Sequence, residues 1–271
     1  MQYIRIYLSL FFISFIFQQT CHAKQIITNP RRSDGFGGQF QTIIYSVIYA
    51  ELNNADYVYT PFSQMEHNYD NDSDFIAKKE WLINFIDNFE INKDNAIFPT
   101  TYFVTNFFEQ NLNACYHSLA LQKIKTIFKT NKKRDMYFDG TRFNIVVHLR
   151  RHNAHDCRID GTDTPNSTYL EIINKLRKVY ENKNPIFHIH SQGNENFEEF
   201  NASDIIFYLD TTVEDSFISM VFADVLVTSR SSFSYTAGII SEGTVYYMPF
   251  WHPPMPNWIS IPEFLRSDND S

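Results

Sequence analysis

The second half of the chain alternates short apolar runs with amphipathic ones at a spacing that leaves few folds open. Phe143 to Leu149 reads as a strand, and Tyr169, Ile172, Ile173, Leu176 and Tyr180 then recur along one helical face. Ile186 to His190 is a second strand and Ile205 to Leu209 a third. Thr211 or Thr212, with Glu214 or Asp215 three residues on, forms a capping box that opens a helix running through Phe222. Val225 to Thr228 is a fourth strand, Phe233 to Ser241 a helix, and Thr244 to Met248 a last strand before Pro249. Strands joined by helices at this spacing predict a parallel sheet covered on both faces, a Rossmann-like α/β domain. Ligands of such sheets bind at the carboxyl ends of the strands.

The first half predicts a second α/β unit. Gln25 to Thr28 forms a short strand, Ser33 to Gln39 a glycine-rich loop, and Ile43, Ile44, Val47, Ile48 and Leu52 the apolar face of a helix. Tyr57 to Thr60 is a strand before Pro61. A polar loop from Gln64 to Asp74 precedes a helix whose stripe is Phe75, Leu82, Phe85, Ile86 and Phe89, with Trp81 joining the same core. Ser118 caps a further helix that turns Leu121, Ile124, Ile127 and Phe128 inward. Lys129 to Asp135 breaks the pattern and is the expected linker between an N-terminal α/β domain, 24–135, and the C-terminal Rossmann-like domain, 136–266. Residues 267–271 read as a disordered tail. With 44% hydrophobic residues in 271, the chain has ample apolar material for such cores.

A net charge of −8 argues against a nucleic-acid partner, because binders of the phosphate backbone gather an excess of Lys and Arg. Any anion must be held locally. Residues 1–23 read as a signal peptide: Arg5 supplies a positive start, Ile6 to Phe17 the apolar segment, and Cys21-His22-Ala23 a small-residue cleavage site. That segment falls short of the ~20 apolar residues that span a bilayer, so a cleaved leader is favoured and an uncleaved membrane anchor is the alternative. The expected location is the lumen of the secretory pathway, ER or Golgi, or outside the cell. There Cys115 and Cys157 either pair or stay as two buried thiols. Sequons at Asn71, Asn166, Asn201 and Asn269 suit that compartment.

The polar residues of the second half gather where its strands end. Arg150-Arg151, Ser191-Gln192-Gly193, Asp210-Thr211-Thr212 and Ser229-Arg230-Ser231-Ser232-Phe233-Ser234 each follow a predicted strand and would share one crevice. Adjacent arginines can place one guanidinium on a diphosphate while the other braces the loop. Ser231, Ser232 and Ser234 stand where a helix begins, so hydroxyls, free N–H groups and the helix dipole can meet an anion. Either motif alone reads more readily as a solvated loop or a cap, and their convergence on one sheet edge is what favours a ligand. Gln192 and Asp210 are candidates for a base or ribose edge. Gly37 and Gly38 either let the backbone approach that ligand or make a tight turn. Phe250 to Trp258 reads as a rigid aromatic lid, with Trp251 and His252 in reach of the site.

His148-Leu149-Arg150-Arg151 resembles the His-x-Arg-Arg signature of the α1,2- and α1,6-fucosyltransferases. Ala223 to Tyr235, with Ser231-Ser232-Phe233-Ser234 at its centre, looks like their C-terminal motif, and Gly35-Phe36-Gly37-Gly38-Gln39-Phe40 is similar to the glycine-rich opening of the α1,2 enzymes. The resemblance implies a GT-B-like fold of two Rossmann-like domains, GDP-fucose held by the C-terminal one, inversion at the anomeric carbon, and neither metal nor cofactor. It places Arg151, and after it Arg150, on the departing diphosphate, with His148, Ser191, Gln192, Asp210, Ser231, Ser232, Phe233, Ser234, Gly37, Gly38 and Gln39 around the donor. Where the family commonly has an aspartate two residues after the second arginine, this chain has Asn153, which leaves His152, His155, Asp156 and Asp160 as possible bases, Asp156 preferred. Asp70-Asn71-Asp72 imitates the Asp-x-Asp of metal-dependent glycosyltransferases, but His152, His155, Asp156 and Cys157 match no defined metal site. The implied partners are a nucleotide sugar and a glycan acceptor. The rival readings are transfer from another nucleotide sugar, an inactive secreted protein that binds nucleotide or glycan, and a lectin-like protein.

Overall fold

The computed structural model describes residues 24–151, 163–193 and 197–267. The leader, Asp156, Cys157 and the segment after Ser267 therefore lie outside the described residues, while Ser267 itself donates its N–H back to the Glu263 carbonyl at 3.2 Å. In the first half, β1 (Ile26–Ile27) and β2 (Asp56–Tyr57) pair in parallel through α1 (Phe36–Leu52). There follow α2 (Phe75–Ile83), α3 (Thr101–Gln110), α4 (Leu112–Tyr116) and α5 (Leu119–Lys129). The second half runs β3 (Phe143–His148), α6 (Asn166–Val179), β4 (Pro185–Ser191), β5 (Ile205–Leu209), α7 (Val213–Phe222), β6 (Val225–Val227), α8 (Ser232–Ile240), β7 (Thr244–Tyr247), β8 (Ile259–Ser260) and α9 (Ile261–Arg266). This is the predicted α/β class.

The last six strands form one all-parallel sheet in the order β5-β4-β3-β6-β7-β8. The chain builds outward from β3 to one edge, then returns to the other side of β3 and builds outward again. The reversal falls between β3 and β6, and that point of a doubly wound sheet opens a crevice at the strands' carboxyl ends.

Side chains alternate across the sheet as pleating requires. Ile145, Val147, Phe187, Ile189, Val225 and Val227 pack under α6 and α9. Val146, Leu226, Val245 and Tyr247 face α7 and α8 and, beyond them, the helices of the first half. On that second face Asn144, His188 and His190 interrupt the apolar surface and are all buried. Each is satisfied: His188 bonds Asn144 Oδ1 at 3.0 Å, and His190 meets Ser219 at 3.0 Å and Ser216 at 3.3 Å.

α1 is buried on nearly every side, which explains why its sequence is apolar beyond one stripe. It lies between the first-half helices and α8, so a single apolar core crosses residue 135. Phe217 of α7 makes this concrete, touching Phe36 at 5.1 Å, Phe40 at 6.0 Å and Phe128 at 5.6 Å between ring centres. Lys79 of α2 and Glu214 of α7 form a buried ion pair at 2.6 Å across the same junction. The stretch expected to be a linker is tied down as well. Lys132 is buried, donating to the Phe128 carbonyl at 2.7 Å, and Arg134 pairs with Asp224.

The helix expected from Phe75 through Phe89 stops at Ile83, because Asn84 takes a left-handed conformation, φ +58°, that caps it. Phe85 is buried beyond that cap, whereas Ile86 and Trp81 are half-exposed rather than in the core, the latter under the Lys132 ammonium at 5.1 Å. α3, α4, β8 and α9 were not anticipated from sequence. Among the described residues no helix is long and apolar enough to cross a membrane. Cys115 is buried with its thiol 3.9 Å from the Phe108 carbonyl.

Candidate active site

The two most informative segments of the sequence flank the reversal point. β3 runs out into His148-Leu149-Arg150-Arg151, and β6, its neighbour, into Thr228-Ser229-Arg230-Ser231 and the first turn of α8. A direct bond joins them: Ser229 Oγ lies 2.8 Å from His148 Nδ1. The His148 ring also stands edge-on to Phe233 at 5.7 Å. Burial, helped by the nearby Arg150 charge and by His190, pushes the His148 pKa down to about 3, so this imidazole is neutral at ordinary pH.

The adjacent arginines diverge into two roles. Arg151 is buried, and its guanidinium donates to the Arg150 and Thr164 carbonyls at 3.1 Å each and to Asn166 Oδ1, while lying 6.0 Å from the Tyr169 ring centre. It braces the loop. Arg150 is half-buried at the crevice, close enough to act on His148. The Arg150, Thr164 and Asn166 acceptors, the latter two brought in by the start of α6, engage the Arg151 guanidinium, which the sequence placed first on the diphosphate.

Neighbouring strand ends serve the same brace. Ser191 Oγ donates to the Leu149 carbonyl at 2.7 Å and Gln192 Nε2 to the Arg151 carbonyl at 2.9 Å. Gln192 thus ties the end of β4 to the segment after β3. Asp210, in the left-handed region at φ +53°, accepts the Gly193 N–H at 3.0 Å. It shares the sheet edge, but the strand order sets it two strands from β3 and so away from the reversal point.

α8 opens with Ser231 as N-cap, its Oγ accepting the Phe233 N–H at 3.2 Å, and Ser234 Oγ is buried, accepting the Ser229 N–H at 3.1 Å. Those two serines shape the turn, while half-buried Ser232 and the first-turn N–H groups remain at the helix's positive end. The glycine opening of α1 meets this turn. A Cβ on Gly37 would stand 2.5 Å from Phe233 Cα, and Thr236 Oγ1 donates to the Gly37 carbonyl at 3.0 Å. Gly38 instead faces the Arg32–Asp34 ion pair, and Gln39 Nε2 ties the Asp34 and Gln64 carbonyls at 2.6 and 2.8 Å.

Of the expected residues, the structure brings His148, Arg150, Ser231, Ser232, Phe233, Ser234 and Gly37 together, with Arg151, Ser191 and Gln192 immediately behind. Ser229 carries the bond that joins the two halves of the crevice, and its place right after a strand is the signal that pointed to it. The lid is anchored by His252 Nδ1 on Glu109 at 2.7 Å and by the Tyr235 hydroxyl donating to the Pro253 carbonyl at 2.7 Å, which commits His252 to α3 and leaves Trp251 exposed. Asp72 of the Asp-x-Asp imitation is spent on Lys78 at 2.6 Å. Among the sequons, the Asn166 side chain is taken by Arg151, whereas Asn71 and Asn201 are exposed.

No family model matches the chain, and no curated protein sequence matches it. Among solved structures it is similar in chain course to NodZ α-1,6-fucosyltransferase soaked with GDP-fucose, at 10% identity over 80% of this chain and 93% of that one, TM-score 0.41. The selenomethionine form of fucosyltransferase NodZ from Bradyrhizobium aligns at 10% identity over 85% and 96%, TM-score 0.42. The E. coli heptosyltransferase WaaC with ADP-2-deoxy-2-fluoro heptose aligns at 11% identity over 87% and 92%, TM-score 0.43. The chemistry of this chain is to be sought in its own residues.

Proposed function

We propose that the chain is an inverting, metal-independent glycosyltransferase of GT-B-like architecture that moves fucose from GDP-fucose to a glycan hydroxyl in the secretory pathway. The observation that carries this reading is the His148–Ser229 bond at the β3–β6 reversal, which ties the strand end that carries Arg150, itself close enough to act on His148, to the segment that opens α8. A departing nucleoside diphosphate gathers negative charge. A guanidinium and the N–H groups of a helix start are fixed positive groups that stabilise it without a metal. Arg151, Ser191 and Gln192 position Arg150 by holding the loop's carbonyls. The choice of GDP-fucose rests on the likeness of the His-Leu-Arg-Arg and Ser-Ser-Phe-Ser segments to the α1,2- and α1,6-fucosyltransferases.

The test is ligand-induced stabilisation with GDP, UDP and CMP, followed by transfer of labelled fucose from GDP-fucose to mixed glycans. Arg150→Ala is expected to abolish the GDP shift and slow donor turnover by about 100-fold or more, the scale for losing one charge-stabilising group. Turnover unchanged in that variant sinks the mechanism. Stabilisation by UDP or CMP instead assigns another donor. Nucleotide binding with no turnover assigns the inactive binding protein, the reading that Asn153 in place of aspartate favours.

A further inference from the structure

The two edges of the six-stranded sheet are unlike. β8 is two residues long and runs straight into α9, whereas β5, Ile205-Ile206-Phe207-Tyr208-Leu209, is five residues long and holds neither a charge nor a proline. Short strands, charges and prolines are the usual means by which an edge is kept from pairing with another chain. Among the described residues no backbone group outside the sheet bonds Ile206 to Leu209, and the Ile206 and Leu209 side chains are exposed. The two carboxylates that bracket the strand are turned onto their own neighbours. Asp204 accepts from Arg177 Nε at 2.6 Å, and Asp210 from the Gly193 N–H at 3.0 Å. An apolar, uncharged strand left open in this way is an aggregation site unless something covers it.

A cover is encoded just ahead of it. Asn201-Ala202-Ser203 is an acceptor sequence for N-glycosylation, and it forms the surface turn that delivers the chain into β5. The Asn201 N–H closes a single turn of 3₁₀ helix, Glu198–Phe200, on the Glu198 carbonyl at 3.1 Å, and the Ile205 N–H bonds the Ala202 carbonyl at 3.1 Å. All three residues of the sequon are exposed, and among the described residues nothing hydrogen-bonds the Asn201 or Ser203 side chain. The sequon at Asn166 differs on both counts, since that residue is half-buried in the first turn of α6 and its Oδ1 is held by the Arg151 guanidinium. Because the sheet is all parallel, the start of β5 lies at the end opposite the crevice, so a glycan on Asn201 leaves the proposed donor site open.

We infer that Asn201 carries an N-linked glycan whose bulk shields the β5 edge, an assignment that rests on the secretory-pathway part of the proposed function and not on the sugar transferred. The donor is an oligosaccharide on a lipid diphosphate in the lumen. Asn201 Nδ2 bonds to the anomeric carbon of that oligosaccharide. The bond from the same carbon to the diphosphate oxygen breaks, its electron pair leaves with the lipid diphosphate, and one Nδ2 proton passes to a base of the transferring enzyme.

The test expresses the full chain in a eukaryotic secretory host and releases its glycans enzymatically in heavy-oxygen water, which marks each formerly glycosylated asparagine as a heavy aspartate in peptide mass spectrometry. Asn201 is expected to be marked. Asn201→Gln and Ser203→Ala should each lose that glycan and move part of the protein into dimers and larger species, read by size-exclusion chromatography with light scattering against wild type at equal concentration. Releasing the glycan from folded wild type should do the same, which frees the result from any effect of a variant on folding. Ile206→Lys added to Asn201→Gln should return it to the wild-type state, because a charge on an edge strand blocks pairing. Four results overturn the inference while leaving the location and transfer readings intact: a luminal chain with Asn201 bare, a deglycosylated protein no more associated than wild type, association in Asn201→Gln that Ser203→Ala does not reproduce, or association that Ile206→Lys does not reverse. A chain that never enters the lumen sinks the inference together with the location, and leaves sugar transfer to be judged by its own assay.

Discussion

The close approach of α1 to α8 makes Gly37→Ala a sharp test of how the crevice is held. The new Cβ would stand 2.5 Å from Phe233 Cα, 2.6 Å from its nitrogen and 2.9 Å from the Ser232 carbonyl carbon. All three are backbone atoms of a capped first turn, so relief requires the two helix starts to separate by about 1 Å to reach ordinary van der Waals contact. Overpacking of this kind costs about 1–3 kcal/mol, against which alanine's better helix propensity returns at most about 1 kcal/mol. The net loss of roughly 1–2 kcal/mol should lower the unfolding midpoint by about 2–8 °C for a chain of this size. Gly38→Ala is the internal control. Its Cβ would meet the Asp34 carboxylate at 2.5 Å and the Arg32 guanidinium at 3.3 Å, the free ends of side chains that can swing aside. Its midpoint should stay within about 2 °C of wild type. Because Gly37 bears on Phe233, against which His148 stands, Gly37→Ala should also weaken GDP stabilisation. Differential scanning calorimetry of the two variants decides the matter: equal midpoints, or Gly38→Ala the less stable, would refute the backbone-contact argument.

Acid should unfold the protein earlier than its carboxylates alone require. Burial holds His188 and His190 down to about 4 in the folded state, whereas the unfolded chain protonates near 6.5, so their contribution is complete above pH 6.5 and is lost as pH falls towards 4. By pH 5 each has cost about 2 kcal/mol, and urea midpoints that stay flat from pH 7 to pH 5 would contradict this. Lys79→Met leaves Glu214 as an unpaired, largely buried carboxylate and should cost about 3–5 kcal/mol in chemical denaturation, most of it recovered by adding Glu214→Leu, since an apolar pair suits that environment. Equal stability of the single and double variants would show that the ion pair is incidental.

The second half was legible because its strands are largely apolar: Val225 to Val227, buried throughout, needs no partner information to be seen, and the edge strand Ile205 to Leu209 is apolar even though Ile206 and Leu209 are exposed. The order of those strands was not legible, since it depends on which side of β3 the chain returns to, and no local residue encodes that choice. α3 escaped notice because its aromatic residues split between burial and exposure, with Phe108 buried and Tyr102 and Phe103 exposed, which blurs the helical period. The engagement of Arg151 was equally hidden, because two of its acceptors, Thr164 and Asn166, stand 13 and 15 residues further along the sequence.

The Phe217 ring, pressed against Phe36, Phe40 and Phe128, bears on how such a chain can evolve. Recombination that exchanged one half for that of a relative would have to match these rings at the seam, and a chimera that failed to do so would leave aromatic surface open to solvent and to aggregation. The polar loop from Gln64 to Asp74, by contrast, makes none of these ring contacts and can change composition without disturbing that seam.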